Sequence, residues 1–130
     1  MKKILLFLTL INLATSAFAE LAKVAQINDE TIYIKTDSIK RNGQIIAFWQ
    51  LSDFMSAQSL EKINLQYLSY YAKNEINCET NEHRLLGVTF YSMNLAQGVV
   101  VTTFKYQNDF DYIIPNSQGE KISKFVCGKK

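Results

Sequence analysis

Apolar and polar positions along this chain fall into short segments of strand-like period, broken at intervals by Asn, Asp and Gly. Leu21 to Asn28 reads as a first, weakly patterned strand. Thr31-Ile32-Tyr33-Ile34-Lys35 is richer in β-branched and aromatic residues and reads more strongly. Asn42-Gly43 marks a turn. The segment after it, Gln44 to Leu51, is apolar on both alternating faces, with Ile46 and Phe48 on one and Ile45, Ala47, Trp49 and Leu51 on the other. A strand covered on both sides belongs in the middle of a sheet. Residues 53–62 break the pattern and are expected to form a loop or a short helical turn. Strand character returns at Leu65 to Lys73, which carries Tyr67, Tyr70 and Tyr71, and at Ile76 to Thr80, which carries Cys78. Arg84 to Met93 follows, with Leu86, Val88 and Phe90 on one face. Past a turn at Asn94 to Gly98 comes the β-prone run Val99 to Phe104.

The period then changes. Ile113-Ile114-Pro115 is extended, because proline disfavours helix in the residue before it. Ser117-Gln118-Gly119-Glu120 fits a capping box, in which the Ser hydroxyl accepts from the Glu120 amide and the Glu side chain accepts from the Ser117 amide. Ile122, Phe125 and Val126 give the helix one apolar face, Lys124 and Lys129 suit the negative end of its dipole, and Gly128 can stop it. About three turns are predicted from this spacing.

The N-terminus has a separate logic. Lys2 and Lys3 precede an apolar run from Ile4 to Leu13, and Ala17-Phe18-Ala19 is a small-residue cleavage site. This predicts an export signal over residues 1–19 and a mature single domain over residues 20–130. The apolar run is too short to cross a bilayer, and no transmembrane segment is expected after cleavage. Glu20 stands where a lipoprotein would need cysteine. Cleavage removes two of the 14 basic residues and none of the 12 acidic ones, so the mature chain carries 12 of each. A zero balance provides no footprint for nucleic acid or an anionic membrane. The pairs Lys40-Arg41 and Lys129-Lys130 read as solvated charges.

An oxidising compartment makes Cys78 and Cys127 a disulfide pair rather than reactive thiols. Closing a loop of about 50 residues stabilises by roughly 4 kcal/mol in the chain-entropy account. The bridge would pin a helix too short to persist alone in water onto the strand carrying Cys78. Catalytic chemistry is not apparent. A single histidine, His83, with Glu79 and Glu82 beside it, reads as an exposed turn, and Asp109 and Asp111 as a loop. Nothing calls for a metal or a cofactor, and no nucleophile elbow or phosphate loop occurs. The aromatic residues are the remaining feature. Trp49, Tyr67, Tyr70 and Tyr71 are candidates for a binding surface, although tyrosine also favours ordinary strands.

The order of blocks resembles the surface-adhesin protein E family of Gram-negative bacteria. The blocks are Ile32-Tyr33-Ile34-Lys35 with Ser38-Ile39, the Gly43 turn before Phe48-Trp49, Leu68-Ser69, Glu75-Ile76-Asn77-Cys78, Arg84 leading to Val88–Tyr91, Ile114-Pro115-Asn116-Ser117, Glu120, and Phe125-Val126-Cys127. The resemblance implies an α+β fold: a mainly antiparallel sheet of about six strands, with a C-terminal helix on one face and one disulfide. It also implies a non-enzymatic envelope protein, with a homodimer among its assemblies, from a family whose best-known member binds host matrix and serum proteins such as laminin, vitronectin and plasminogen. The missing lipidation cysteine separates this chain from that pattern, and so does Phe110 or Tyr112 in place of the tryptophan before the Pro block. No ligand-contacting residue carries over. The alternative expectation is a periplasmic protein that binds a small ligand or assists envelope assembly.

Overall fold

The computed structural model describes residues 20–128; the predicted export signal and the Lys129-Lys130 pair lie outside them. Eight strands precede one helix: β1 Leu21–Ile27, β2 Glu30–Lys35, β3 Lys40–Asn42, β4 Ile45–Leu60, β5 Leu65–Asn77, β6 Glu82–Tyr91, β7 Val100–Lys105, β8 Asp111–Tyr112 and α1 Gln118–Cys127. All pair antiparallel in one sheet. Six lie in the order β1-β2-β4-β5-β6-β7, while β3 also pairs with β4, and β8 with β6. The pairs β1–β2, β3–β4, β4–β5 and β5–β6 are consecutive in sequence and joined by tight turns, whereas β2 pairs with β4 past β3, and β8 returns past β7 to β6. Asn28, Asn64, Asn81 and Gly43 supply positive φ at those turns (54°, 49°, 57° and 64°), a region that Asn and Gly enter at low cost.

The α+β class and the helix on one face are as expected, and several boundaries differ. Residues 53–62 are not a loop, because β4 runs on to Leu60. A bulge between Asp53 and Gln58 shifts its register on β5 and destroys the alternation that marks a strand. The exposed segment is held from the β1–β2 turn. The Met55 N–H donates to the Asp29 carbonyl at 2.9 Å, and Ser56 and Gln58 donate to the Asp29 carboxylate at 2.7 and 3.1 Å. Leu65 to Asn77 is one strand, not two, and Cys78 falls just past its end, its N–H donating to the Gln44 carbonyl at 2.9 Å. Asp111 belongs to a short strand opposite His83 instead of a loop.

Ser117 caps α1 as the sequence predicts, accepting from the Glu120 N–H at 3.3 Å. The returning bond differs by one residue, since the Glu120 carboxylate accepts from the Asn116 N–H rather than that of Ser117. Lys124 pairs with Glu120 at 2.9 Å one turn on. Gly128 ends the helix with φ of −76°, so the left-handed freedom of glycine is not used there.

Alternation places Ile32, Ile34, Ile46, Phe48 and Ile76 on one face of the sheet, beneath Ile122 and Val126 of the helix. Each such side chain, fully buried, contributes about 1.5–3 kcal/mol. The Cys78–Cys127 disulfide spans 5.8 Å between Cα atoms and ties the last turn of α1 to the end of β5. A second cluster, Ala72, Val88 and Phe90 with Tyr67, Tyr70 and Phe104, continues the same face beyond the helix.

Candidate binding surface

The strand register that buries Ile46 and Phe48 points Trp49 and Leu51 the other way. Residues directly opposite across antiparallel strands share a face, so the partners of Trp49 and Leu51, Lys73 and Tyr71, point there too. Thr89 and Gly87 of β6 extend those rows, followed by Thr103 and Lys105 of β7. This face carries no helix. Trp49 meets Tyr71 edge to face with ring centroids 6.2 Å apart, and Tyr71 meets Tyr91 in the same way at 6.2 Å. With Lys35 and Thr89 they line a cavity of about 260 Å³. A second cavity of about 440 Å³ shares Trp49 and Thr89 and runs on past Lys73, Gly87 and Lys105 to Tyr106. Burial pushes the Tyr71 hydroxyl above its ordinary pKa, and Tyr91, Asp37 and Glu20 add to the effect. The hydroxyl therefore stays protonated, able both to donate and to accept, at any physiological pH.

The β6–β7 connection closes one end of this face. Ser69 donates to the Met93 carbonyl at 2.6 Å and accepts from the Ala96 N–H at 2.9 Å. Asp53 accepts from the Leu95 N–H at 2.7 Å and from the Asn94 amide at 3.1 Å. These bonds hold Leu95 and Ala96 in left-handed backbone (φ 54° and 57°), a conformation that costs a non-glycine residue about 1–2 kcal/mol. Toward the other end of the sheet, Arg84 pairs with Glu75 at 2.8 Å and lies 4.4 Å from the centroid of the Phe110 ring. Phe110 thus packs the segment before the Pro block through a cation–π contact.

The four aromatic residues expected to form one surface are divided. Trp49 and Tyr71 stand together on the helix-free face. Tyr67 and Tyr70 pack with Phe54, Phe90 and Phe104, with Tyr67 and Tyr70 at 4.6 and 5.5 Å from Phe90. Burial raises the pKa of both hydroxyls, with the nearby Glu30 charge adding to it at Tyr67; at Tyr70, Ser52 opposes the rise and Glu30 adds to it. Sequence reasoning did not bring Tyr91, Thr89, Lys35 or Gly87 to the site. Their strand parity was legible, since they alternate with Val88, Phe90 and Ile34, but the pairing of β6 with β5 and of β2 with β4 was not. His83 is exposed. Among the described residues no group of three or more His, Cys, Asp and Glu converges as metal ligands would.

A family model for surface-adhesin protein E matches residues 20–128. Among solved structures, crystal form II of Haemophilus influenzae protein E is similar with a TM-score of 0.69 and 15% identity, covering 85% of this chain and 88% of that one. Protein E from non-typeable Haemophilus influenzae is similar at 0.66 and 15% identity, over 88% of this chain and 79% of that one. At such identity the likeness is one of fold. Comparison with curated proteins finds no match.

Proposed function

This chain belongs to the surface-adhesin protein E family, and on that premise we propose that it is an exported envelope protein acting as a non-enzymatic binding module. Its partner is a protein of the host matrix or serum, or of the envelope itself. The contact is made by the sheet face opposite α1. The observation that carries this reading is the cavity between Trp49, Tyr71 and Tyr91 on a face the helix leaves uncovered. Aromatic side chains lining a concave, accessible surface supply large contact area with polar tips, the usual anchors of a docked partner. Among the described residues no helix is long and apolar enough to cross a membrane. Surface plasmon resonance of protein expressed from the full chain, over immobilised matrix, serum and envelope proteins, tests the reading. Specific binding that falls in a Trp49→Ala, Tyr71→Ala variant is expected; binding unaffected by that variant would overturn it.

A periplasmic role with a small ligand is the second reading. It is favoured by the size of the aromatic cavity, about 260 Å³, close to the lower end of ligand pockets at roughly 300 Å³. Fractionation with accessibility on intact cells separates the two, because a chain confined to the periplasm cannot meet host proteins.

A further inference from the structure

We propose that the helix-free face binds a carboxylated sugar, its carboxylate seated over Gly87 between Lys73 and Lys105 and its ring against Trp49. The inference rests on the reading of that face as the binding surface and adds the chemistry of what it takes.

Three cross-strand pairs carry it. Trp49 lies opposite Lys73, Lys73 opposite Gly87, and Gly87 opposite Lys105, so one row across β4, β5, β6 and β7 reads Trp-Lys-Gly-Lys on a single face. Two strand spacings separate the lysine backbones, about 10 Å, a distance that two flexible four-carbon stems close easily around an anion. Between them the floor is bare. A Cβ at position 87 would stand 3.2 Å from the Phe104 carbonyl and would fill the gap. Both lysines are exposed, and neither has an ion-pair partner among the described residues. The neighbouring acids are committed elsewhere, Glu75 to Arg84 at 2.8 Å and Asp37 to Lys35 at 3.8 Å. The ammonium of Lys73 lies over the Trp49 ring, 5.9 Å from its centroid, so a sugar ring reaches the indole as this flexible stem swings toward Gly87 to meet the carboxylate.

The choice of a sugar over an acidic peptide follows from what a sheet face lacks. Its backbone donors and acceptors are consumed in the ladders, and peptides that add to sheets do so at edges, where main-chain groups are unpaired. A peptide lying across this face would leave its own amides facing rings. A pyranose needs only side chains. Its C–H groups meet the negative face of an indole, its hydroxyls can reach Thr89, Thr103 and the lysines, and its carboxylate accepts charge-assisted bonds. The balanced net charge of the mature chain does not oppose this, since the site depends on where strand register puts two lysines and not on their total.

Exposed lysine–carboxylate contacts are weak in water, so affinity on the order of millimolar is expected for a short oligosaccharide. NMR titration of the isotope-labelled protein, expressed from the full chain, reads this directly. The probes are a hexuronate trisaccharide and the same trisaccharide with its carboxylates reduced to hydroxymethyl groups. The expected result is saturable shifts of the Gly87 amide and the Trp49 indole N–H with the acidic probe. Binding should weaken about tenfold with the reduced probe or in the Lys73→Gln, Lys105→Gln variant, as two exposed ionic contacts allow. Both substitutions sit at exposed positions, and an unchanged spectrum outside the row reports an intact fold. A sialylated trisaccharide and a deacylated lipopolysaccharide core, run in parallel, distinguish a host source of the acid from an envelope one, and shifts at the same row with either support the site. Equal binding of acidic and reduced probes, shifts mapping elsewhere, or tighter binding of a poly-glutamate peptide at the same row would overturn the proposal. If the sugars are silent while protein-partner binding is still lost on Trp49→Ala, this inference falls alone; if both are silent, the binding face falls with it.

Discussion

Trp49 and Tyr71 meet edge to face, their ring planes 88° apart and their centroids separated by 6.2 Å, although they stand on different strands and are not directly paired. The contact joins the two strands on the helix-free face and orients the indole that both cavities share. Such aromatic pairs contribute about 0.5–1.5 kcal/mol beyond their burial. Tyr71→Ala should therefore lower stability by about 1–2 kcal/mol and shift Trp49 fluorescence to the red as water reaches the ring. An emission maximum that does not move would show that Tyr71 does not shield the indole.

Cys78→Ser should lower stability by about 2–4 kcal/mol and the melting temperature by roughly 10 °C or more, given the size of the domain. The bridge closes a separation of 49 residues and anchors α1. Helical signal should be lost before sheet signal in thermal circular dichroism. Identical melting of the oxidised and reduced proteins is the contrary result.

Phe48 is 2% exposed and lies in the cluster under the helix. Replacing a buried ring by a methyl group removes transfer free energy and leaves a cavity, so Phe48→Ala should cost about 3–5 kcal/mol. Urea denaturation with an unchanged m-value would measure it. A cost below about 1 kcal/mol would mean the helix collapses onto the vacated space.

Asp53 accepts two bonds from the β6–β7 connection, and bonds to charged groups contribute about 1.5–3 kcal/mol each at most. Asp53→Ala should release the left-handed Leu95 and Ala96, seen as faster amide exchange confined to residues 92–99. Exchange unchanged there would assign the loop's conformation to Ser69 alone.

The Glu120 carboxyl is held below its ordinary pKa, first by the Lys124 side chain and then by the Asn116 N–H. A depressed folded pKa stabilises the native state above the unfolded value, and that contribution is lost as pH falls through the folded one. The helix should therefore loosen on acidification through the carboxylate range, and Glu120→Gln should flatten that limb of the curve. Melting temperature against pH for both proteins tests the sign; a variant as acid-sensitive as the parent would contradict it.

How much of this was legible in the residues varies with range. Ser117 and Glu120 announce the helix start because capping is settled within four residues, and Thr31–Lys35 announces its strand for a similar reason. The extension of β4 through Met55 and Ser56 was hidden, because a bulge breaks the period-two pattern and the bonds that hold the segment come from Asp29, far back along the chain. Tyr67 and Tyr70 looked like Tyr71 in sequence and stand half-buried against the Phe90 cluster, apart from Tyr71, because what packs beside a strand residue is decided by other strands.

By itself the sequence determined the strand-rich character, the turns at Asn and Gly, the capped helix and the cysteine pair, all of them consequences of local sterics and hydrogen bonding or of compartment. Only the tertiary structure decided which aromatic residues reach solvent and which lysines stand beside them. Trp49, Lys73, Gly87 and Lys105 lie on four different strands, and their alignment depends on a register set by the whole sheet and its bulges. A one-residue slip in any pairing would turn a strand's side chains to the opposite face. The helix-free surface is therefore a property of pairing, which no local pattern encodes.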